Sequence, residues 1–399
     1  MDVAAWFRQV VAVTTFNLSS MRQRLGSSLV VVVGVAGVVM VLIGVLSVAS
    51  GFRKTLESTG EPENVLVLRG GSDAEMNSGL GLDSVRIIAD APQLAQLESR
   101  PLASAELYVI LDLPMKSTGT PANVPLRGVD PEMVYPVRGQ VNMVAGRPFE
   151  AGRNEVVVGR AAAVQFAGLE LGDQLDVGEG KWVVVGHFDT GGTVSDSEIW
   201  CDAKVLQPAY RRGSSYQSVH ARLTHAEDFT AFKDGLTSDP RLDVKVIRET
   251  DYHAQQSTAF TTFVTVLGTL IGGLMGIGAI FGALNTMYTA VSARSREIAT
   301  LRALGFGSGP VVVSVMVESM LLALAGGFLG AAVAYGLFHG YQAATINFQT
   351  FSQIAFGFAV TPQLMKLGIF YAMLMGFVGG FFPAIRAARL PVATALREL

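Results

Sequence analysis

The sequence predicts an α-helical membrane protein with four transmembrane helices, plus an α+β extracytoplasmic domain inserted between the first and second. Three observations carry this. Half of the 399 residues are hydrophobic and only 16% are charged, against about a quarter in ordinary globular chains. The charges are unevenly spread, with long uncharged stretches toward both ends and a normal mixed surface between. Four of those stretches reach the ~20 residues that a helix needs to cross the hydrocarbon core.

The first transmembrane helix is expected at residues 28–49, since no charge lies between Arg24 and Arg53. A cleaved signal peptide is the alternative, because Arg22 and Arg24 precede the run and Ser47-Val48-Ala49 offers a small-x-small site. The apolar run from Leu29 to Leu46 is too long for a signal sequence and too far from the start, which favours an anchor. The second helix and its stalk are expected at 260–291, the third at 309–338 and the fourth at 364–383. Residues 1–27 place Trp6, Phe7, Val10, Val13 and Phe16 at helical spacing and read as a cytoplasmic interfacial amphipathic helix.

Direction follows from the Lys and Arg residues that flank the helices. Arg8, Arg22 and Arg24 lie before the first, Arg294, Arg296 and Arg302 between the second and third, and Arg386, Arg389 and Arg397 after the fourth. The connection at 339–363 has neither Lys nor Arg. Both termini, the 292–308 connection and the 384–399 tail are therefore expected in the cytoplasm of a bacterial inner-membrane protein. Residues 50–259 and the 339–363 loop are expected on the periplasmic side.

The 50–259 insert reads as folded. Runs rich in β-branched residues at 64–68, 106–111, 155–158, 174–177, 181–185, 218–223 and 244–247 predict strands. Residues 160–166 and 226–236 predict helices, and 73–81, rich in Gly and Ser, predicts a mobile loop. His187, Asp189, Asp196 and Glu198 are the only cluster with metal-ligand chemistry. Their spacing matches no ligand loop, and a turn around Gly191-Gly192 explains them more simply. The net charge of −3 offers no basic field for nucleic acid. A lone Cys201 excludes an internal disulfide and reads as a small buried residue after Trp200, with a bridge to another chain as the alternative. No catalytic, cofactor or metal site is expected on this chain.

Inside the membrane, Gly268, Gly272 and Gly276 repeat at four-residue spacing and present one small face for close helix packing. Two readings stay open: a seam within one subunit, or a dimer interface. Glu318 is the single acid within a transmembrane stretch. It is expected about 13 Å into its helix at 1.5 Å per residue, where it either pairs with an interfacial Arg or couples a proton.

Between the second and third helices, Ile298, Leu301 and Leu304 fall on one helical face with Arg296, Glu297 and Arg302 beside it, and Gly305 supplies a stop. Such a helix either docks in a groove of a soluble partner or lies on lipid.

Here the sequence resembles a family. SREIATLRALGFG, the run from Glu318 to Tyr335 and the terminal FPAIRAARLPVATALREL are similar to the permease domain of the MacB/FtsX/LolC-type ABC transporters. SVASGF, PLRGVDPE, AGRPFEAGRNEVVVGRAAA, LGDQLDV and WVVVGHF resemble the membrane entry and periplasmic core domain of the same group. The resemblance implies a permease dimer, here expected as a homodimer, carrying two cytoplasmic ABC ATPase subunits. ATP-driven closure of the ATPases would pass through the helix at Glu297, Ile298, Leu301, Arg302 and Gly305 and the stalk of the second helix to the periplasmic domains. Arg296 and Leu304 complete the expected contact. A periplasmic adaptor and membrane lipid are further expected partners, and the runner-up readings are a lipoprotein-releasing subunit or a non-transporting permease that passes the motion on to activate other envelope proteins. The Walker A pattern G-x-x-x-x-G-K-[ST] is missing from these 399 residues, so ATP and Mg are expected on a separate ATPase polypeptide. A membrane-anchored sensor would need a cytoplasmic output domain, and a membrane-embedded enzyme would need polar groups beyond Glu318.

Overall fold

The computed structural model describes residues 3–20, 25–347 and 352–389. Arg22, Arg24, Arg397 and the end of the expected 384–399 tail lie outside the described residues. In chain order the elements begin with α1 (Val3–Ser20) and α2 (Leu25–Glu57). An α/β stretch follows: β1 (Asn64–Arg69), α3 (Leu82–Ala89), β2 (Gln96–Leu97), β3 (Arg100–Pro101), β4 (Ala103–Pro114), β5 (Pro121–Val129), α4 (Val134–Arg138) and β6 (Asn142–Gly146). It continues through β7 (Glu155–Gly159), α5 (Arg160–Gln165), β8 (Gln174–Val177), β9 (Gly180–Asp189), β10 (Ile199–Asp202), α6 (Ala203–Ala209), β11 (Ser218–Arg222), α7 (Phe229–Thr237) and β12 (Val244–Arg248). The chain then runs through α8 (Glu249–Ala293), α9 (Ser295–Ala303), α10 (Ser308–Phe338), β13 (Gln342–Ile346), β14 (Gln353–Gly357) and α11 (Pro362–Ala388). It divides into two compact units, one of residues 1–50, 262–341 and 358–399, the other of 51–261 and 342–357.

The first unit is helical. Among the described residues, four helices are long and apolar enough to cross a membrane: α2, α8, α10 and α11. They pack where glycines let backbones approach. A Cβ built on Gly330 of α10 would lie 2.5 Å from the Ala36 carbonyl oxygen of α2, and one on Gly376 of α11 would strike the Ala323 methyl of α10. The Ser319 hydroxyl donates to the Gly376 carbonyl at 2.6 Å, a bond that lipid could not replace. Gly268 and Gly272 face Val45 and Leu42 of α2, and Gly276 faces Tyr371 of α11, whose hydroxyl donates to the Gly272 carbonyl. The four-residue glycine face is thus occupied within the chain. α1 lies along the start of α10, with the Asn17 amide donating to the Ser314 hydroxyl. Its Phe7, Val11 and Phe16 point outward.

The second unit is built on a ten-stranded mixed sheet in the order β12-β1-β11-β4-β5-β10-β7-β9-β6, with β8 paired to β9. The long β4 joins two cores. One lies under α3 and α7 and includes Val65, Val67, Val219 and Phe232. The other lies under α5 and α6 and includes Leu107, Leu126, Val158, Trp182 and Leu206. The helices extend beyond their expected ends: α2 continues to Glu57, and α8 begins at Glu249 rather than 260. Nor is the 339–363 loop all coil, since β13 and β14 form a hairpin within it.

Candidate functional site

α8 ends at Ala293, and Arg294, outside helical geometry, turns the chain into α9. The far end of α9 closes with two bonds, Gly305 N–H to the Arg302 carbonyl and Phe306 N–H to the Leu301 carbonyl, both 3.1 Å. Gly305 has φ +95°. That is the paired Schellman pattern, which needs a left-handed residue where only glycine is unstrained. The stop signal seen at Gly305 therefore has a geometric cause.

The faces of α9 differ from the expectation in one respect. Ile298 is not on the outside; it is 6% exposed and packs with Met287 and Val291 of α8, Val311 and Val315 of α10 and Ala384 and Ala387 of α11. Leu301 and Arg302 are half-buried, whereas Arg296, Glu297 and Gly305 are exposed and Leu304 is 73% exposed. Helical spacing put Ile298, Leu301 and Leu304 on one stripe, but the chain covers the first of them itself. The outward edge consists of Arg296, Glu297, Thr300, Ala303 and Leu304.

α9 is anchored by charge as well. Arg294 donates one terminal nitrogen to both Glu318 oxygens, at 2.8 and 2.6 Å, and its Nε approaches the Ala290 carbonyl at 3.3 Å. Both side chains are almost fully buried. Glu318 is the acid singled out within the third apolar stretch, and its partner sits at the α8–α9 joint.

The α/β unit holds a second polar centre. On β4, β5 and β11 the side chains alternate faces with period two. Register pairs Tyr108 with Arg127, Trp200 with Arg127, Glu106 with Ser218 and Ser104 with His220. Glu106, Tyr108, Arg127, Trp200, Ser218 and His220 therefore share one face, while Leu107, Leu126, Val219 and Ile199 fill the core on the other. Three segments cover the polar face: the 3-10 turn at Glu75–Asn77, the end of α4 with Arg138, and the first turns of α8 with Glu249 and Tyr252. The expected mobile loop at 73–81 is thus partly a buried element. Glu75 is 3% exposed because it meets Arg127.

Arg127 uses all five of its N–H donors. It binds both oxygens of Glu75 at 2.7 and 3.0 Å, both of Glu198 at 2.8 and 3.0 Å, and one of Glu106 at 2.9 Å. Two forked carboxylate pairs on one guanidinium are the geometry arginine matches best. The Trp200 indole donates to Glu198 and the Ser218 hydroxyl to Glu75. Burial pushes the Glu75 and Glu198 carboxyls up, but the Arg127 charge and hydrogen bonds, joined by His220 at Glu75 and by Arg138 and Trp200 at Glu198, together prevail and hold Glu75 well below the usual range and Glu198 below it. Glu75, Glu106 and His220 converge as three metal ligands would, yet Arg127 Nη1 lies 2.7, 2.9 and 3.5 Å from their facing atoms. The place of a cation is taken by the guanidinium.

The other acidic cluster splits, with Asp189 and Asp196 staying beside each other around the Gly191-Gly192 turn. His187 faces the Leu169 carbonyl, Asp189 accepts from Arg160 and the Gly191 N–H, and Asp196 accepts from Thr190 and the Gly192 N–H. Glu198 leaves the group for Arg127. Cys201 is buried in β10, where burial and Asp202 push its thiol well up.

Two family models match the chain. The MacB-like periplasmic core domain covers residues 28–239 and the FtsX-like permease C-terminal domain covers 269–392. This chain belongs to the MacB/FtsX-type ABC transporter permeases. Among its relatives, the macrolide export ATP-binding/permease protein MacB of Bdellovibrio bacteriovorus is 24% identical over 96% of this chain and 60% of its own. The uncharacterized ABC transporter permease YknZ of Bacillus subtilis is 25% identical over 50% of this chain and 49% of its own. The permease chain therefore spans between half and three fifths of the length of these relatives. A crystal structure of the periplasmic region of MacB from Actinobacillus actinomycetemcomitans covers 49% of this chain and 93% of its own, at 12% identity and TM-score 0.36.

Within the permease, α9 and the Arg294–Glu318 pair fall inside the FtsX-like match, and Glu75, Glu106, Arg127 and His220 inside the core-domain match. Sequence reasoning missed the Arg127 centre. Its one signal was a run of charged or imidazole side chains at inward-alternating positions, Glu106, Arg127 and His220, within otherwise apolar strands.

Proposed function

We propose that this chain is the permease subunit of an ABC transporter that turns ATP-driven motion of a cytoplasmic ATPase into movement of its α/β domain. In this reading α2, α8, α10 and α11 cross the bacterial inner membrane with both termini in the cytoplasm. The α/β unit is the periplasmic insert between the first and second crossings. Two copies of the permease bind two ATPase subunits, which hold the ATP and Mg, and the work done is export of a substrate from the periplasm or the membrane. The names of the MacB relatives support export. The observation that carries the reading is α9: a capped helix, clamped to α10 by a buried ion pair, that leaves Leu304 and Glu297 outward. A lipid-resting helix would turn its apolar stripe outward, whereas here Ile298 is already covered.

The test is Leu304→Asp. An apolar anchor at an interface contributes about 2 kcal/mol or more, so association should weaken by roughly thirtyfold. The variant should insert and fold as before, because Leu304 touches little of its own chain. Pull-down from native membranes should recover a Walker-motif ATPase with the wild type and lose it with Leu304→Asp. Undiminished association and transport would overturn the assignment.

A further inference from the structure

We propose that Glu249 is a positioning residue that, with Asn64, Arg138 and His220, fixes the start of α8 to the sheet of the α/β unit, so that displacement of α8 reaches the sheet. The proposal rests on the transmission reading above. It starts from an asymmetry: α8 is one unbroken helix of 45 residues, yet only residues 249–261 belong to the α/β unit. Those residues are held from several sides. Glu249 accepts from the Asn64 amide of β1 at 3.0 Å and from Arg138 of α4 at 3.3 Å, and faces His220 Nδ1 of β11 at 3.6 Å. The Tyr252 hydroxyl accepts from the Glu75 N–H, and its ring packs with Leu66, Leu68 and Ile247. One turn further, Gln256 accepts from the Asn347 amide beside β13. A helix held only by apolar contacts can slide in its groove; two charge-assisted bonds, to β1 and α4, and a facing imidazole on β11 resist sliding.

His220 makes this joint proton-dependent. Its two nitrogens face carboxylates on both sides: Nε2 lies 3.2 Å from Glu75 and 3.5 Å from Glu106, and Nδ1 3.6 Å from Glu249. An imidazolium donates from both nitrogens, a neutral ring from one only. The charged and titratable groups around it are Glu106 on β4, Arg127 on β5, Arg138 on α4, Glu75 on its turn, Glu198 before β10, and Glu249 with His253 on α8; Tyr108 and Tyr252 are the nearby phenols. Burial and Arg138 push the His220 value down, but Glu106 and the bonds to Glu249 and Glu75 prevail and hold it above the ordinary 6.5. A raised histidine contributes stability that is complete below its unfolded value and is lost as pH rises through the folded one. Deprotonation takes the buried set from four carboxylates against three cations to four against two. A crevice of about 120 Å³ lined by Thr59, Glu61, Asn64, Arg138 and Glu249, among others, gives water a route to the joint.

The test is hydrogen exchange by mass spectrometry on the full chain in nanodiscs, following the peptide 249–257 from pH 6 to pH 9 after correction for intrinsic rates. Because a raised His220 makes the joint lose stability as pH rises, wild-type protection should fall steadily across this range. His220→Gln should be less protected and flat with pH, and His253→Gln should keep the wild-type profile. A flat wild-type profile, or flattening by His253→Gln instead, overturns the proposal. In the second arm, Glu249→Gln should bind the ATPase like wild type but lose at least half of transport. Equal transport overturns the coupling role, whereas failure of even the wild type to bind an ATPase would sink the transporter reading and leave the exchange result standing.

Discussion

The Arg294–Glu318 pair allows a quantitative prediction. Both side chains are at most 5% exposed, with contacts of 2.8 and 2.6 Å. Replacing Arg294 with Met leaves the Glu318 carboxylate buried without a donor, and breaking such a pair costs about 3–5 kcal/mol. Replacing both, as Arg294→Met/Glu318→Met, removes the desolvated charges and fills similar volume, which is often neutral for a buried pair. The double variant should therefore recover most of the loss, so that in a double-mutant cycle the two single effects add to much more than the double effect. The assay is reversible unfolding in mixed micelles by titration with a denaturing detergent, followed by far-UV circular dichroism. Single variants within about 1 kcal/mol of wild type, or additive effects, would show that the pair does not hold α9. Transport by the double variant would further show that Glu318 carries no obligatory proton.

Two further predictions need only substitution and labelling. Gly330→Ala should destabilise the helical unit by about 1–3 kcal/mol through overpacking, because its Cβ would lie 2.5 Å from the Ala36 oxygen. Gly278→Ala, whose Cβ meets nothing within 4 Å, should be neutral or slightly stabilising, and equal effects in thermal unfolding would refute the packing argument. For orientation, a cysteine at the exposed Gln342 should react with an impermeant thiol reagent in intact spheroplasts, and one at the exposed Thr300 only after permeabilisation; the opposite pattern would reverse the topology. Ser352 is unsuitable as the outer reporter because it is 1% exposed and bonded to Tyr108.

The sequence by itself determined the four long apolar helices, the mixed α/β stretch in the middle and the short helix stopped at Gly305. Each is a local property: a run of uncharged residues, a period of two, or one residue that tolerates φ +95°. The ends of α2 and α8 were not legible. Glu57 and Glu249 are polar, and a helix continues through polar residues when other parts of the fold cover one of its sides. β5 was missed because Pro121, Pro125 and Gly128 read as loop, yet its neighbours β4 and β10 supply the pairing that holds it extended. Ile298 and Leu304 look equivalent along one helical stripe, and only the packing of α8, α10 and α11 buries the first and leaves the second outward. The same holds for charge. Glu75 in a Gly- and Ser-rich loop and Arg127 in a strand stand 52 residues apart, and Asn64 and Glu249 stand 185 apart. Periodicity reports which face a side chain takes, but not which distant charge it will meet there. That choice is made only when the strands pair, because a buried carboxylate is tolerated solely where the fold brings a donor to it.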